Sequence, residues 1–245
     1  PVVRPLVNEK GESLFETKGI FFAIFPKKPG RLEPELKPEQ LKRLGRYLAR
    51  LHNAGESLKG VKRMQLSPET FGRESLKGIK DLKCIQGNLE KIFEQLVTEA
   101  CALMDPMFKS RKYILTHGDC HAGNVLWKGE DPYFIDFDDM LFAPAVQDVW
   151  LLIGGSDEFA MKNADIVLEA YQEIRSFDED ELDLIEPLRM LRMIQFNYWI
   201  AKRREDGAFK LAFPHFGTER HWQEQNENLS GQLEKIRQLS GLRNQ

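Results

Sequence analysis

The sequence predicts an α+β fold, with a short β-containing portion over residues 1–30 and a larger, mainly helical portion over 31–245. Three observations carry this. Two apolar runs flank a Lys18-Gly19 turn near the start. A strand, a polar loop and a hairpin follow one another between Tyr113 and Ile135. Almost everything else repeats its apolar residues at three- and four-residue spacing, the period of a helix.

In chain order, Ser13–Thr17 and Ile20–Phe25 form the expected hairpin, and Pro26 with Pro29-Gly30 ends its second strand. A helix opens at Pro38, which suits a first turn, and closes near Gly55. Leu41, Leu44, Leu48 and Leu51 make its apolar face, with His52 as a packed or capping residue near its end. Residues 56–85 are polar and predict a loop with short helical pieces. Gly87–Met104 predicts a core helix through Leu89, Ile92, Phe93, Leu96, Val97, Ala100, Leu103 and Met104. Tyr113–Leu115 and Val125–Trp127 read as strands, and Tyr133–Ile135 returns after a turn at Gly129–Pro132. Pro144–Ile153 opens a helix stopped by Gly154-Gly155. Ala164–Ile174 and Glu181–Arg204 are helical. The acidic run 178–181 and Lys202-Arg203-Arg204 suit the two ends of the second of these through the helix dipole. Trp222–Leu239 predicts a polar C-terminal helix.

A hydrophobic content of 42% is enough for a packed core, and a net charge of -3 speaks against a nucleic-acid surface. No apolar run approaches a membrane span and no signal peptide is visible, so neither nucleic acid nor membrane is an expected partner. Cys84, Cys101 and Cys120 are odd in number and lack metal spacing. They predict free thiols in a reducing compartment, the cytoplasm.

The chemistry concentrates in His117-Gly118-Asp119-Cys120-His121-Ala122-Gly123-Asn124 and in Ile135-Asp136-Phe137-Asp138-Asp139. An Asp two residues after a His, an Asn five residues later and a further Asp beyond a short apolar stretch have the spacing of a phosphoryl-transfer loop. Such a reaction needs a hydroxyl placed in line with a γ-phosphate and neutralisation of its charge. Asp119 is the candidate proton acceptor and Asp136 the second catalytic carboxylate. Asn124 and Asp136 offer the hard oxygens that suit Mg²⁺ on ATP phosphates. His117 and Asp148 are assigned orienting roles. Asp148 enters a largely apolar stretch, where a carboxylate must find donors such as the loop's backbone amides. The alternative is a simple charge at a helix N-terminus. Cys120, beside the candidate proton acceptor, reads as a small packed residue, with a redox role as the alternative. Backbone near Ile24, Phe25 and Lys27 is the candidate contact for adenine, with an ordinary edge hairpin as the alternative.

The motifs H-G-D-C-H-A-G-N, D-F-D-D and P-A-V-Q-D-V-W resemble the aminoglycoside phosphotransferase and choline kinase-like superfamily, and within it its bacterial Ser/Thr protein kinases. F-F-A-I-F-P, G-R-Y-L-A-R-L-H and L-I-E-P-L-R extend the resemblance over nearly the whole chain. It implies a bilobal, protein kinase-like fold with ATP in the cleft, Asp119 as proton acceptor, and Asn124 and Asp136 on Mg²⁺. Asp138 stands at an acidic position of the family. Residues 1–30 would then be the remnant of an N-terminal lobe and the hinge, and 31–245 the C-terminal lobe. Kinases of this family carry a phosphate-covering loop and a strand lysine earlier in the chain. Lys10 and Lys18 do not suit that role, so the N-terminal lobe is expected to be incomplete here and residues 1–245 alone to bind ATP weakly. The expected acceptor is a protein Ser/Thr hydroxyl. A small hydroxyl-bearing molecule, or a binding-only module without catalysis, are the alternatives. The residues do not predict an oligomeric state.

Overall fold

A computed structural model describes residues 2–33, 35–155 and 158–243. The strands are β1 (Phe15–Thr17), β2 (Ile20–Phe22), β3 (Ile114–Thr116), β4 (Val125–Lys128), β5 (Asp131–Phe134) and β6 (Leu141–Ala143). The helices are α1 (Pro38–Ser57), α2 (Glu74–Asp81), α3 (Gly87–Lys109), α4 (Val146–Ile153), α5 (Glu158–Gln172), α6 (Ile185–Arg203), α7 (Gly207–Ala212) and α8 (Glu219–Arg243). The chain divides into two compact units. One takes in Pro1–Lys59, Leu115–Met140 and Gln147–Phe177; the other takes in Gly60–Ile114, Leu141–Val146 and Asp178–Gln245.

In the first unit, β1 and β2 pair antiparallel with Phe15 opposite Phe22. Lys18 (φ 50°) and Gly19 (φ 78°) are both left-handed, the turn that matches the twist of a two-residue hairpin. Ile20, Phe21 and Phe25 on and after β2 are more than half exposed. β4 and β5 pair from Val125↔Phe134 to Lys128↔Asp131 around Gly129. Asp131 and Pro132, expected in the turn, instead belong to β5. Arg31 extends this sheet by exchanging two backbone hydrogen bonds with Trp127, at 3.0 and 2.9 Å.

α1 packs along α5. Leu41, Leu44 and Leu48 are buried, as the leucine spacing requires. Pro38 occupies the first turn, where no N–H is needed, and the Gln40 side chain accepts the Lys37 N–H at 2.9 Å. Gly55 lies inside the helix rather than after it, and it is glycine because a Cβ there would strike the Leu115 carbonyl. Gly45 meets α5 in the same way, with the Val167 carbonyl where its Cβ would be.

In the second unit, α2, α3, α6 and α8 enclose an apolar core of Phe93, Val97, Ala100, Met104, Leu191, Ile194, Leu229 and Ile236. α3 runs five residues beyond Met104 and carries Pro106 inside it, because Met107 and Phe108 are also buried. α8 is polar on average, yet Trp222, Leu229, Leu233 and Ile236 form a buried stripe on it. The indole of Trp222 meets Phe93 edge-on at 5.4 Å and donates to the Cys84 carbonyl at 2.7 Å. All three cysteines are free and buried. Among the described residues no helix is long and apolar enough to cross a membrane.

The close approach of α1 and α5 gives a stability prediction. Gly45→Ala should destabilise the chain by about 1–3 kcal/mol, the usual cost of over-packing, since backbone rather than a side-chain end must yield. Urea unfolding with an unchanged m-value measures it; an unaltered midpoint would contradict the packing described.

Candidate active site

The candidate residues from Thr116 to Asn124, from Ile135 to Asp139 and from Gln147 to Trp150 all belong to the first unit. β3 delivers the chain to His117, and the loop then turns through Gly118, whose φ of 85° excludes most side chains. A 3₁₀ turn, Ala122–Asn124, leads directly into β4.

Asp148 organises the loop from behind. It is fully buried in the first turn of α4. Its Oδ2 accepts the His117 N–H at 2.8 Å, and its Oδ1 accepts the Gly118 N–H at 2.9 Å. Gln147 donates to the Gly118 carbonyl at 3.0 Å and in turn accepts the Trp150 indole N–H at 3.1 Å. Both backbone groups of Gly118 are therefore held by neighbouring side chains of one helix. A third donor reaches Asp148 from α1. His52 Nε2 lies 3.1 Å from Oδ2, while its Nδ1 lies 2.8 Å from the Tyr171 hydroxyl on α5. The arrangement in which Tyr171 donates to Nδ1 and Nε2–H donates to Asp148 satisfies all three groups.

His52 is thus packed, and it also has a partner that local reading could not supply. Its spacing from Leu48 placed it on the buried face of α1. Asp148 lies 96 residues further along the chain. Gln147 and Tyr171 were likewise not singled out from the sequence.

His117 works at the front. Its ring, fully buried, places Nε2 2.8 Å from the Ile135 carbonyl and lies 4.5 Å from the Phe137 ring. The Ile135 N–H donates to the Asn124 carbonyl at 3.0 Å. Ile135 is therefore gripped on both sides, and the next residue, Asp136, takes a left-handed φ of 62°. Such a conformation is uncommon for a residue with a Cβ and is best tolerated by Asn and Asp. Asp136 and Asp138 are exposed.

Asp119 and Asn124 form one network. The Asn124 amide donates to the Asp119 carbonyl at 2.9 Å and lies 3.4 Å from its Oδ2. That use of its N–H groups leaves the amide oxygen as the group a cation would take. His121 adds a second neighbour, with Nε2 3.4 Å from Asp119 Oδ2 and Nδ1 accepting the Gly123 N–H at 3.0 Å. Gly123 has to be glycine for this, because its Cβ would sit 2.7 Å from the imidazole. Cys120, fully buried between them, has its thiol pushed well up by burial and by the nearby Asp148 and Asp119 charges, so it stays neutral and unreactive.

Ile24, Phe25 and Lys27 are exposed on the segment after β2. The Ile24 carbonyl accepts the Leu6 N–H at 2.7 Å. Among the described residues no three His, Cys, Asp or Glu side chains converge as a metal cluster. The Asn124 amide oxygen and the Asp136 carboxylate are hard donors of the kind Mg²⁺ takes.

Removing the Asp148 carboxylate should be costly. Asp148→Ala leaves two buried amides and His52 without their acceptor, at about 1–3 kcal/mol for each unsatisfied group. Thermal and urea unfolding of the variant should show a clearly lowered midpoint; wild-type stability would mean that the network carries no weight.

Comparison with known proteins gives the family. A sequence profile of the phosphotransferase enzyme family matches residues 1–185. Stress response kinase A of Escherichia coli (strain K12) is 33% identical over 239 residues, covering 97% of this chain and 72% of that protein. The serine/threonine protein kinase RdoA of Salmonella typhimurium is 33% identical over 226 residues, covering 92% and 68%. Among solved structures, an amicoumacin kinase in complex with AMP-PNP, Ca²⁺ and Ami superposes with a TM-score of 0.67 at 20% identity, over 93% of this chain and 72% of that one. A microcompartment-associated aminopropanol kinase gives 0.64 at 17%, over 98% and 77%. With a family profile matching residues 1–185 and relatives 33% identical over 92–97% of this chain, the chain belongs to the phosphotransferase enzyme family.

Proposed function

We propose that this phosphotransferase moves the γ-phosphoryl group of ATP, with Mg²⁺, to a Ser/Thr hydroxyl of a protein. The observation that carries the reaction type is the single hydrogen-bonded set formed by Asp119, Asn124, His117 and Ile135, with Asp136 next in the chain. It joins a carboxylate base to two hard oxygen donors. The protein acceptor rests on the relatives named as stress response and serine/threonine kinases.

In this reading Asp119 accepts the proton of the attacking hydroxyl as its oxygen bonds to the γ-phosphorus and the bond to the β-phosphate oxygen breaks. The Asn124 amide N–H groups orient that carboxylate. Asn124 through its oxygen, and Asp136 through its carboxylate, would hold the metal. When bound, Mg²⁺ supplies charge neutralisation on the phosphate oxygens. His117 fixes the backbone from which Asp136 projects, and Asp148 fixes the backbone from which His117 and Gly118 start. The hinge role for Ile24–Lys27 uses the amides of Phe25 and Lys27, since Pro26 has none and the Ile24 carbonyl is taken.

Two predictions test this in the protein as its gene encodes it. Asp119→Ala should lower turnover by about 10²–10⁴-fold, the usual general-base contribution, with ATP affinity almost unchanged. Retention of most of the wild-type rate would remove Asp119 from the mechanism. Asn124→Ala and Asp136→Ala should each weaken Mg·ATP binding, Asp136→Ala more because a full charge is lost. Calorimetric titration with and without Mg²⁺ reads this, and metal dependence identical to wild type in Asp136→Ala would count decisively against the assignment. A panel of protein and small hydroxyl acceptors assigns the acceptor class; transfer to amino alcohols or sugars alone would replace the protein-kinase reading. Absence of transfer to every acceptor would favour a binding module.

A further inference from the structure

Glu181 is a buried carboxylate to which no part of the proposed reaction assigns a role. It is 4% exposed. The acidic run around it suits a helix start through the helix dipole. Asp178 does behave that way, capping the 3₁₀ turn Glu179–Leu184 by accepting the Asp180 N–H at 3.1 Å. Glu181 instead faces inward. Its Oε2 accepts the N–H of Val146 at 3.0 Å, and the neighbouring Ala145 N–H also bonds to it. Val146 is the first residue of α4, so its N–H is one of the amides that the helix cannot satisfy internally.

That helix start is the part of the molecule from which the loop at 117–118 hangs. Gln147 and Asp148 are the next two residues, and between them they hold the Gly118 carbonyl and the His117 and Gly118 amides. A small rotation of the first turn of α4 would move all three bonds together. We propose that Glu181 is a positioning residue for the catalytic loop: its ionised carboxylate anchors the first turn of α4 and, through Gln147 and Asp148, sets the backbone of His117 and Gly118 ahead of Asp119. This rests on the phosphotransfer reading for its consequence in turnover, and on geometry alone for its consequence in structure.

The ionisation makes the idea testable. Burial is the largest influence on Glu181 and raises its pKa to about 7, against the lowering effect of the Val146 amide. The charged groups that face it are Asp178 on its own turn, which raises the pKa, and Arg111 after α3, which lowers it. Arg111 is largely committed elsewhere, with Nη1 3.2 Å from Asp178 and 3.9 Å from Asp180. The segment Pro144–Val146 packed against Glu181 has no ionisable side chain. The charged form is the stronger acceptor and the one a helix N-terminus favours. The Val146 and Ala145 amides lower the pKa that burial raises, so releasing α4 while Glu181 stays buried favours protonation; the anchor is therefore full above neutrality and weakens as pH falls through about 7.

The experiment is amide hydrogen exchange by NMR between pH 6 and 8.5, corrected for the intrinsic pH dependence, in wild type, Glu181→Gln and Asp178→Asn. In wild type the protection of Val146, His117 and Gly118 should fall several-fold on acidification. Glu181→Gln should show the low protection at every pH. Asp178→Asn should move the midpoint to lower pH, since it removes a neighbouring negative charge. In turnover assays Glu181→Gln should lower kcat, leave the KM for ATP unchanged and lose the wild-type step near neutrality. Wild-type protection at His117 and Gly118 that ignores pH, or a Glu181→Gln variant as protected there as wild type, overturns the proposal. Should Glu181→Gln fail to fold, the wild-type titration and the Asp178→Asn midpoint decide it. Failure to transfer phosphate to any acceptor would sink the proposed function, while the exchange result would still judge Glu181.

Discussion

A carboxylate buried without solvent is the constraint around which the first unit is organised. A carboxylate as buried as Asp148 needs donors to converge on it, because desolvating one without partners costs several kcal/mol. They come from three places: the amides of His117 and Gly118, and the imidazole of His52. Each donor binds a separate stretch of chain to the carboxylate. His52 brings α1, and through Tyr171 it brings α5. The two amides bring the loop that leads to Asp119. The close contact of α1 with α5 at Gly45 is a condition of this, since it sets the two helices near enough for His52 to reach Tyr171. Packing and site geometry are the same fact seen at two scales.

The front of the site follows a different logic. Asn124 and His121 both lie 3.4 Å from one oxygen of Asp119, at the edge of hydrogen-bonding range. Contacts of that length orient a group without consuming it, and catalytic hydrogen bonds are often long until substrate is present. The rigid part of the site is the backbone, held by buried Asp148, Gln147 and His117. The looser part is the set of side-chain ends that would meet a ligand.

Much of this was legible in the sequence where the signal was local. The strand, loop and hairpin around 113–135 could be traced because the apolar runs and Gly129 bracket the polar residues. α1 could be traced from its leucine spacing. Signals that depend on distant partners were not legible. Nothing near His52 announces Asp148. Nothing in the run 178–181 distinguishes inward-facing Glu181 from Asp178 at the surface. α3 runs past Met104, the last residue of its apolar stripe in the sequence, and through Pro106, because the burial of Met107 and Phe108 outweighs a missing hydrogen bond. α8 read as polar because its apolar stripe is narrow, with Trp222, Leu229, Leu233 and Ile236 a single seam. α7, at six residues, is too short to show a period.

The left-handed backbone of Asp136 has an evolutionary reading. A residue with a Cβ at φ 62° costs the fold something that glycine would not. Glycine at this position would relieve the backbone while deleting the carboxylate. Selection for folding alone would drift toward it, and a library sorted by expression or thermal tolerance would enrich it. A chain with glycine here would therefore keep the scaffold, with an easier backbone, and lose this one exposed charge.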